Sequence, residues 1–387
     1  MGSFYAIASR FAGPGIGNTA AHAAIGLYQA NRLKRLVALG HNPTVIDDAR
    51  IVDVRFPPRR LLWFWNDKRY YHAKNQHFDK VCLKHVNGVH NIVHLWNSQA
   101  TATARRAKHQ DKVLVIERAS THIVTQTQIL TEAYARHGID YQPTYAKTIR
   151  LCLEEYELAD VILTPSETSY RSFADQGFDM RKIIRCPFGA RLGDFAPRER
   201  APKKFRAVFI GQVGIRKGVL TLLEAWDKAG IDGELLLIGG EEEVIGKKLA
   251  PWRKRDDIKF LGFRNDVAQL MKDASVFVFP SLEEGSALVT YEAMACSLPL
   301  IVTAEAGSVA RDGREALVVP TENADSLAAA MIKLAEDPAR AWDMGMAARR
   351  RVERFPWSAY GKRIARIHRM LSGGHDTTTI QKSIDID

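Results

Sequence analysis

Cysteine is scarce in this chain: four among 387 residues, Cys82, Cys152, Cys186 and Cys296, with no CxxC pair and no metal-ligand spacing. Such scatter argues against a disulfide framework and fits a reducing cytoplasm. No stretch reaches the roughly 18 uninterrupted apolar residues that cross a bilayer. The N-terminus opens on an apolar, strand-like run without the basic segment of a signal peptide. No RNA- or DNA-binding motif is present, so nucleic acid is not an expected partner. What remains is a composition of 46% apolar and 26% charged residues in a chain too long for one ordinary core, and two domains are expected.

Negative charge is short in one half only. Residues 1–200 hold 28 Lys and Arg against 18 Asp and Glu, a net of +10, whereas residues 201–387 hold 27 against 26. The first half therefore suits an anionic partner, such as a phospholipid surface or a phosphate-bearing acceptor; a basic solvated surface explains it equally well.

Short apolar runs alternate with helical patterns, which predicts an α/β fold with parallel sheets. The runs are Phe4–Ala8, Ile92–Trp96, Lys112–Ile116, Val161–Thr164 and Lys182–Arg185, then Ala207–Ile210, Leu235–Ile238, Ile258–Leu261, Val276–Phe279, Leu300–Thr303 and Ala316–Val319. Between the two sets, Asp194–Lys204 reads as a linker. Two Rossmann-like, doubly wound domains facing each other across a cleft are expected, over residues 1–195 and 196–355. Residues 356–371 read as a helix that packs back on the first domain, and 372–387, lacking an apolar period, as a mobile tail.

The most informative stretch is 283–299, Glu-Glu-Gly-Ser-Ala-Leu-Val-Thr-Tyr-Glu-Ala-Met-Ala-Cys-Ser-Leu-Pro. Glu284 lies in a loop after a buried strand and Glu292 eight positions on, with Gly285 and Ser286 just before a helix start whose free N–H groups favour an anion. Either carboxylate alone would read as ordinary surface charge. A second strand-to-helix loop, Gly211–Gly218, carries Arg216 and Lys217, two cations able to neutralise a diphosphate. Gly15, Gly17 and Ala20 match GxGxxA after the first strand, yet no clear second strand ends in an acid about 20 residues on; a loop facing a pyrophosphate explains the spacing as well. His122 follows the strand 112–116, where it could bond a sugar hydroxyl, manage a proton near neutrality or serve structure alone. In Arg55–Phe78, where cations alternate with aromatics such as Trp63, Phe64 and Trp65, the first reading is that Trp63 and Trp65 fill a core, the second an interfacial membrane element, and the last a stacking surface for single strands.

Several of these motifs together resemble the retaining glycosyltransferases of family 4, which have the GT-B fold. The resemblance rests on Phe209–Gly218, Gly239-Gly240, Phe260–Phe263 and, above all, Pro280–Gly285 through Glu292–Ala295, a Glu-x7-Glu motif. It implies a transferase of hexosyl type that moves a sugar from a UDP- or GDP-linked donor to a sugar or lipid-linked acceptor, without metal or other cofactor. Polysaccharide or glycolipid assembly is the implied setting, in the cytoplasm and at the inner face of an anionic membrane. By the same resemblance Glu284 would contact the donor sugar, Glu292 the ribose, and Lys217 the diphosphate. Gly285, Ser286 and Ala287 would lie along the donor with Gly239, His122 would be the active-site histidine, and Gly15 and Gly17 the N-terminal phosphate-side loop. The family usually has Arg after the glycine that ends its strand; here Gln212 stands there, and Arg216 is the candidate to supply that cation. Two rivals remain: a catalytically silent nucleotide-sugar binder and an NAD-dependent oxidoreductase using Gly15, Gly17 and Ala20.

Overall fold

Buried, mostly apolar runs form the strands, as continuous parallel sheets covered on both faces require. The computed structural model describes residues 2–142 and 144–385. Strands β1 (Gly2–Ile7), β2 (Leu33–Ala38), β3 (Ile51–Asp53), β4 (His90–Trp96), β5 (Val113–Glu117), β6 (Val161–Thr164) and β7 (Ile183–Arg185) pair in parallel in the order β3-β2-β1-β4-β5-β6-β7. Strands β8 (Phe205–Ile210), β9 (Gly233–Ile238), β10 (Ile258–Gly262), β11 (Val276–Phe279), β12 (Leu300–Val302) and β13 (Ala316–Val318) make a second parallel sheet, β10-β9-β8-β11-β12-β13. In each, the order reverses once: between β1 and β4, and between β8 and β11. Loops leaving the C-terminal ends of those strands are where an open α/β sheet presents its ligand site.

Each sheet centres one compact unit. The first contains residues up to Val124, then Thr144–Phe188 and the chain from Trp357 on; the second contains Gly189–Pro356 and the residues from Thr125 that complete the helix Ile123–Arg136. Phe4, Val93, Leu95, Leu114, Ile116 and Phe173 are among the side chains of the first core. In the second, Phe209, Phe277 and Phe279 stack with ring centroids 5.6–5.8 Å apart.

The helix Trp357–Ser372 belongs to the first unit, where it crosses the helix Ile16–Gln29 at two glycines. A Cβ on Gly26 would lie 2.1 Å from the Gly361 carbonyl oxygen, so the backbones meet where any side chain would wedge them apart. A buried polar chain ties the same helix to the sheet. Ser3 Oγ meets His368 Nδ1 at 2.8 Å, His368 Nε2 meets His94 Nδ1 at 3.0 Å, His94 Nε2 meets Glu117 Oε2 at 3.1 Å, and Tyr360 donates to Glu117 Oε1 at 2.5 Å. Each buried polar group is satisfied by another, which avoids the cost of an unpaired one.

Four sequence expectations change here. A second strand does exist: β2 was hidden because Lys34 and Arg35 interrupt its apolar run, and it leads into Leu39-Gly40-His41, without an acid. Asp194–Lys204 is anchored, with Phe195 buried and buried Arg198 donating to the Ala274 carbonyl at 2.8 Å. The supposed tail carries a helix, Thr377–Ile384, capped by Asp376 and burying Ile380 and Ile384; Ile386 and Asp387 lie outside the described residues. Lastly, Trp63 does not fill a core: it is 79% exposed, beside exposed Phe64 and Leu61, and Trp65 is only half-buried. Their aromatic character gave no information about burial.

Replacing Gly26 by Ala is expected to lower unfolding stability by about 1–3 kcal/mol, read from urea melts as a lower midpoint. An unchanged midpoint would show that the helix crossing tolerates a side chain.

Candidate functional site

The second sheet's reversal lies between β8 and β11, and the loops that leave these two strands interlock. Gly218 makes this close approach feasible: its φ is +67°, and a Cβ there would sit 2.0 Å from the Pro280 carbonyl oxygen. Across the contact, the Leu282 amide donates to the Arg216 carbonyl at 2.8 Å and Ser281 Oγ to the same oxygen at 3.1 Å. Glu242 steadies the short turn Ile215–Lys217, accepting from the Ile215 amide at 3.0 Å and from Tyr134 Oη.

The interlock brings both cations onto one carboxylate. Lys217 Nζ pairs with Glu284 Oε1, and Arg216 Nη2 lies 3.3 Å from Glu284 Oε2. Arg216 is itself held from behind: its Nε donates to the Glu283 carbonyl oxygen at 3.0 Å and lies 3.2 Å from Oε2 of that residue. Glu283 is fully buried and also accepts from Gln126 Nε2 at 3.1 Å. Burial and the neighbouring Arg216 push the Lys217 ammonium down to about 7, with Glu283 opposing; direct contact with Glu284 favours the charged form as well.

Beyond this cluster the chain enters the helix Leu288–Ala295. The Gly285 and Ser286 amides make no hydrogen bond among the described residues, so they remain donors at the positive end of the helix. Ala287 differs: its amide already donates to the Ala306 carbonyl at 3.0 Å. The Ser286 hydroxyl donates to the Gly307 carbonyl at 2.8 Å. Glu292, two turns on, meets Arg191 Nη2 at 2.9 Å; burial raises its carboxyl, with Arg191 opposing. Gly239 is a packing glycine, since a Cβ would lie 1.9 Å from the Gly211 carbonyl oxygen and its φ is +140°. Gln212 is exposed, away from the ion pairs that Arg216 makes.

Thus Arg216, Lys217 and Glu284 come together as one cluster. Gly15, Gly17 and His122 lie in the first unit. Gly15 takes φ +67° with open space where a Cβ would be, while a Cβ on Gly17 would strike the Arg10 carbonyl oxygen at 2.1 Å. His122 is buried against the rings of Tyr156 and Phe173. Its Nδ1 accepts from the Val124 amide at 3.3 Å, which leaves the proton on Nε2. Burial, helped by Arg118, lowers its pKa to about 4. His122 is therefore a neutral hydrogen-bond donor at neutral pH, not a titrating group.

Sequence reasoning missed Glu283, Gln126, Ser281, Arg191 and Glu242. Glu283 and Ser281 carried a local signal, since both lie in the Pro280–Gly285 motif beside Glu284; Gln126, Arg191 and Glu242 reach the site through tertiary contacts with no fixed spacing. If the imidazole is held neutral by its surroundings, the His122 ring signals in an NMR titration stay constant between pH 8 and pH 5 and move only near pH 4. A midpoint above 6 would contradict this protonation state.

Residues 204–337 match the family described as glycosyl transferases, group 1. Over 223 residues the chain is 30% identical to the D-inositol 3-phosphate glycosyltransferase of Pseudarthrobacter chlorophenolicus, covering 52% of this chain and 53% of the relative. The chain spans about half the length of the curated relatives it matches. Among solved structures, sucrose-phosphate synthase from Thermosynechococcus elongatus is similar over 97% of this chain and 100% of its own, with a TM-score of 0.74 and 20% identity. Anabaena HepE, solved in complex with UDP-glucose, is similar over 96% of this chain and 100% of its own, with a TM-score of 0.66 and 16% identity. The two Rossmann-like units are the GT-B fold shared with these structures.

Proposed function

We propose, on the premise that residues 204–337 form a group 1 glycosyltransferase domain, that the chain transfers a sugar from a nucleoside-diphosphate sugar to an acceptor hydroxyl with retention. The observation that carries this reading is the convergence of Lys217 and Arg216 on Glu284, beside the unused amides of Gly285 and Ser286. Two cations and a helix start are what a departing diphosphate needs. In the free protein Glu284 is the anion they hold. A bound diphosphate would take over the cations and release the carboxylate to accept hydrogen bonds from the sugar hydroxyls. Glu292, ordered by Arg191, then accepts from the ribose.

In the transfer, the bond from the anomeric carbon to the phosphate oxygen breaks and the acceptor oxygen bonds to the same face of that carbon. The acceptor proton passes to the departing phosphate oxygen, so no protein nucleophile is required. Positive charge comes from Lys217, Arg216 and the Gly285–Ser286 amides, without a metal ion. His122, neutral with its proton on Nε2, is in this reading a hydrogen-bond donor of the first unit and not a proton carrier. HepE holding UDP-glucose on the same fold favours a UDP-linked donor over a GDP-linked one. The oxidoreductase alternative lacks its ribose-binding acid, because β2 leads into His41.

The acceptor side of the reading rests on the basic first half. Lys68, Arg69 and Lys74 stand over the rings of Tyr145, Trp65 and Tyr71, at 5.0, 4.5 and 4.9 Å, and form no ion pair with a carboxylate among the described residues. With exposed Trp63 and Phe64 nearby, this surface suits anionic lipid headgroups and a lipid-linked acceptor. No described helix is long and apolar enough to cross a membrane; the contact proposed is peripheral, at the cytoplasmic face.

Glu284→Gln and Lys217→Ala are each expected to reduce turnover by about 100-fold or more with the melting temperature retained; full activity in either would remove the site. The Lys217 charge is present below its pKa of about 7 and lost above it. Donor affinity measured by titration calorimetry therefore falls as pH rises through 7, and Lys217→Arg flattens that profile. Sedimentation with phosphatidylglycerol vesicles at low salt tests the surface: binding weakens in Trp63→Ala/Phe64→Ala and at high salt. Absence of binding to these vesicles rejects the membrane contact but leaves the transfer reaction standing.

A further inference from the structure

Away from the proposed donor loops, the second unit has a cavity of about 460 Å3 lined by Arg311, Arg314, Arg350, Arg351, Arg354 and Glu315. Five guanidiniums thus surround one carboxylate. Arg311 takes that carboxylate, with Nη2 at 2.5 Å and Nε at 3.0 Å, so Glu315 is occupied. Arg351 is held by its Nε on the Val309 carbonyl at 2.9 Å. The side chains of Arg314, Arg350 and Arg354 have neither an ion pair nor a hydrogen bond among the described residues. Several other arginines of this unit are matched: Arg206 with Glu234, Arg253 with Glu241, Arg255 with Asp257, and Arg264 with Asp266. Burial and the nearby charges of Arg311 and Arg354 push the Arg351 guanidinium below its usual range, so these groups feel one another across the cavity.

Two elements build the cavity. Arg350, Arg351 and Arg354 come from the end of the helix Pro338–Val352 and the residues just after it, where cations also complement the helix dipole. Arg311 and Arg314 come from the segment leading into β13, at the N-terminal end of that strand. The donor loops leave the C-terminal ends of β8 and β11, so this cavity is not part of the same strand-end cluster.

We propose that this cavity is a second oxyanion site, taking a ligand with two or more phosphate-type charges. A planar guanidinium presents paired N–H donors that match phosphate oxygens, and three unpaired ones around a single cavity suit a diphosphate better than a single carboxylate. Its volume exceeds that of a lone phosphate, which leaves room for an organic portion. The segment Ala306–Val309 runs from this site to the donor loop: Arg351 holds Val309 at one end, and Ala306 and Gly307 hold Ala287 and Ser286 at the other. An occupied cavity would therefore brace the helix start that faces the donor. The site itself stands whether or not the donor reading holds.

The test uses inorganic pyrophosphate as the probe, in titration calorimetry of the full chain carrying Lys217→Ala, which weakens any binding at the donor loop. One saturable site is expected, and adding Arg350→Ala and Arg354→Ala should weaken it by about tenfold or more, roughly 1.4 kcal/mol. A charge-matched control, Lys247→Ala with Lys248→Ala, should leave it unchanged. Circular dichroism melts establish that each variant folds. Absence of saturable binding in the Lys217→Ala protein overturns the proposal, as does equal weakening by the control pair, which would mean diffuse charge.

Discussion

The contact of Gly218 with the Pro280 carbonyl is the constraint on which the rest of the second unit's site depends. At 2.0 Å from a notional Cβ, it leaves no room for a side chain, and φ +67° would strain one. Because the two loops touch there, Arg216 and Lys217 meet Glu284 instead of extending into solvent. The Leu282 and Ser281 hydrogen bonds to the Arg216 carbonyl then keep the arrangement in register. Topology supplies the other half of the constraint: β8 and β11 are hydrogen-bonded neighbours at the point where strand order reverses, so their outgoing helices lie on opposite faces and their loops are left side by side.

Cations held this way do not behave as surface cations. Lys217 is only 16% exposed, and burial and the neighbouring Arg216 lower its proton affinity while Glu283 offsets part of that loss. The balance leaves a charge that is easily transferred from one anion to another. A fully exposed lysine would be more strongly solvated and a weaker ligand for phosphate; a buried lysine without Glu284 would tend to neutralise. Glu284 thus has two functions in the proposed cycle, as counter-ion in the free protein and as sugar ligand once the diphosphate arrives.

How much of this could be read beforehand depends on where the signal resides. The second sheet was legible because its central strands are short apolar runs, such as the fully buried Val276–Phe279, and the turn from strand to loop to helix left Lys217 and Glu284 at recognisable places. Local pattern failed where charge or aromaticity has two structural meanings. Lys34 and Arg35 disguised β2, although its inward positions are buried. Trp63 and Phe64 have the composition of a core and the exposure of a surface. In the C-terminal segment, Ile380 and Ile384 are four apart behind an Asp376 cap, a real but single-turn signal that is too short to stand without its packing partners. The hydrogen bond that Ala287 makes to Ala306 could not be read at all, because it joins segments with no fixed spacing.

Gln212 shows why adjacent residues need to be read together. The family resemblance places a cation at that position, and a sequence lacking it looks deficient. In the folded chain Gln212 points to solvent while Arg216 reaches the carboxylate that Lys217 also holds. Arginine at 216 alone would not suffice, since a long exposed side chain pays rotamer entropy to hold any one geometry. Buried Glu283 removes that freedom by fixing Nε, which leaves Nη2 directed at Glu284, and Gln126 helps to satisfy Glu283 in turn. The pair Glu283-Glu284 therefore divides its work, one carboxylate orienting the arginine and the next meeting it. With Gln212 turned to solvent, the positive charge at this loop is delivered from Arg216, and Glu283 is the residue that aims it.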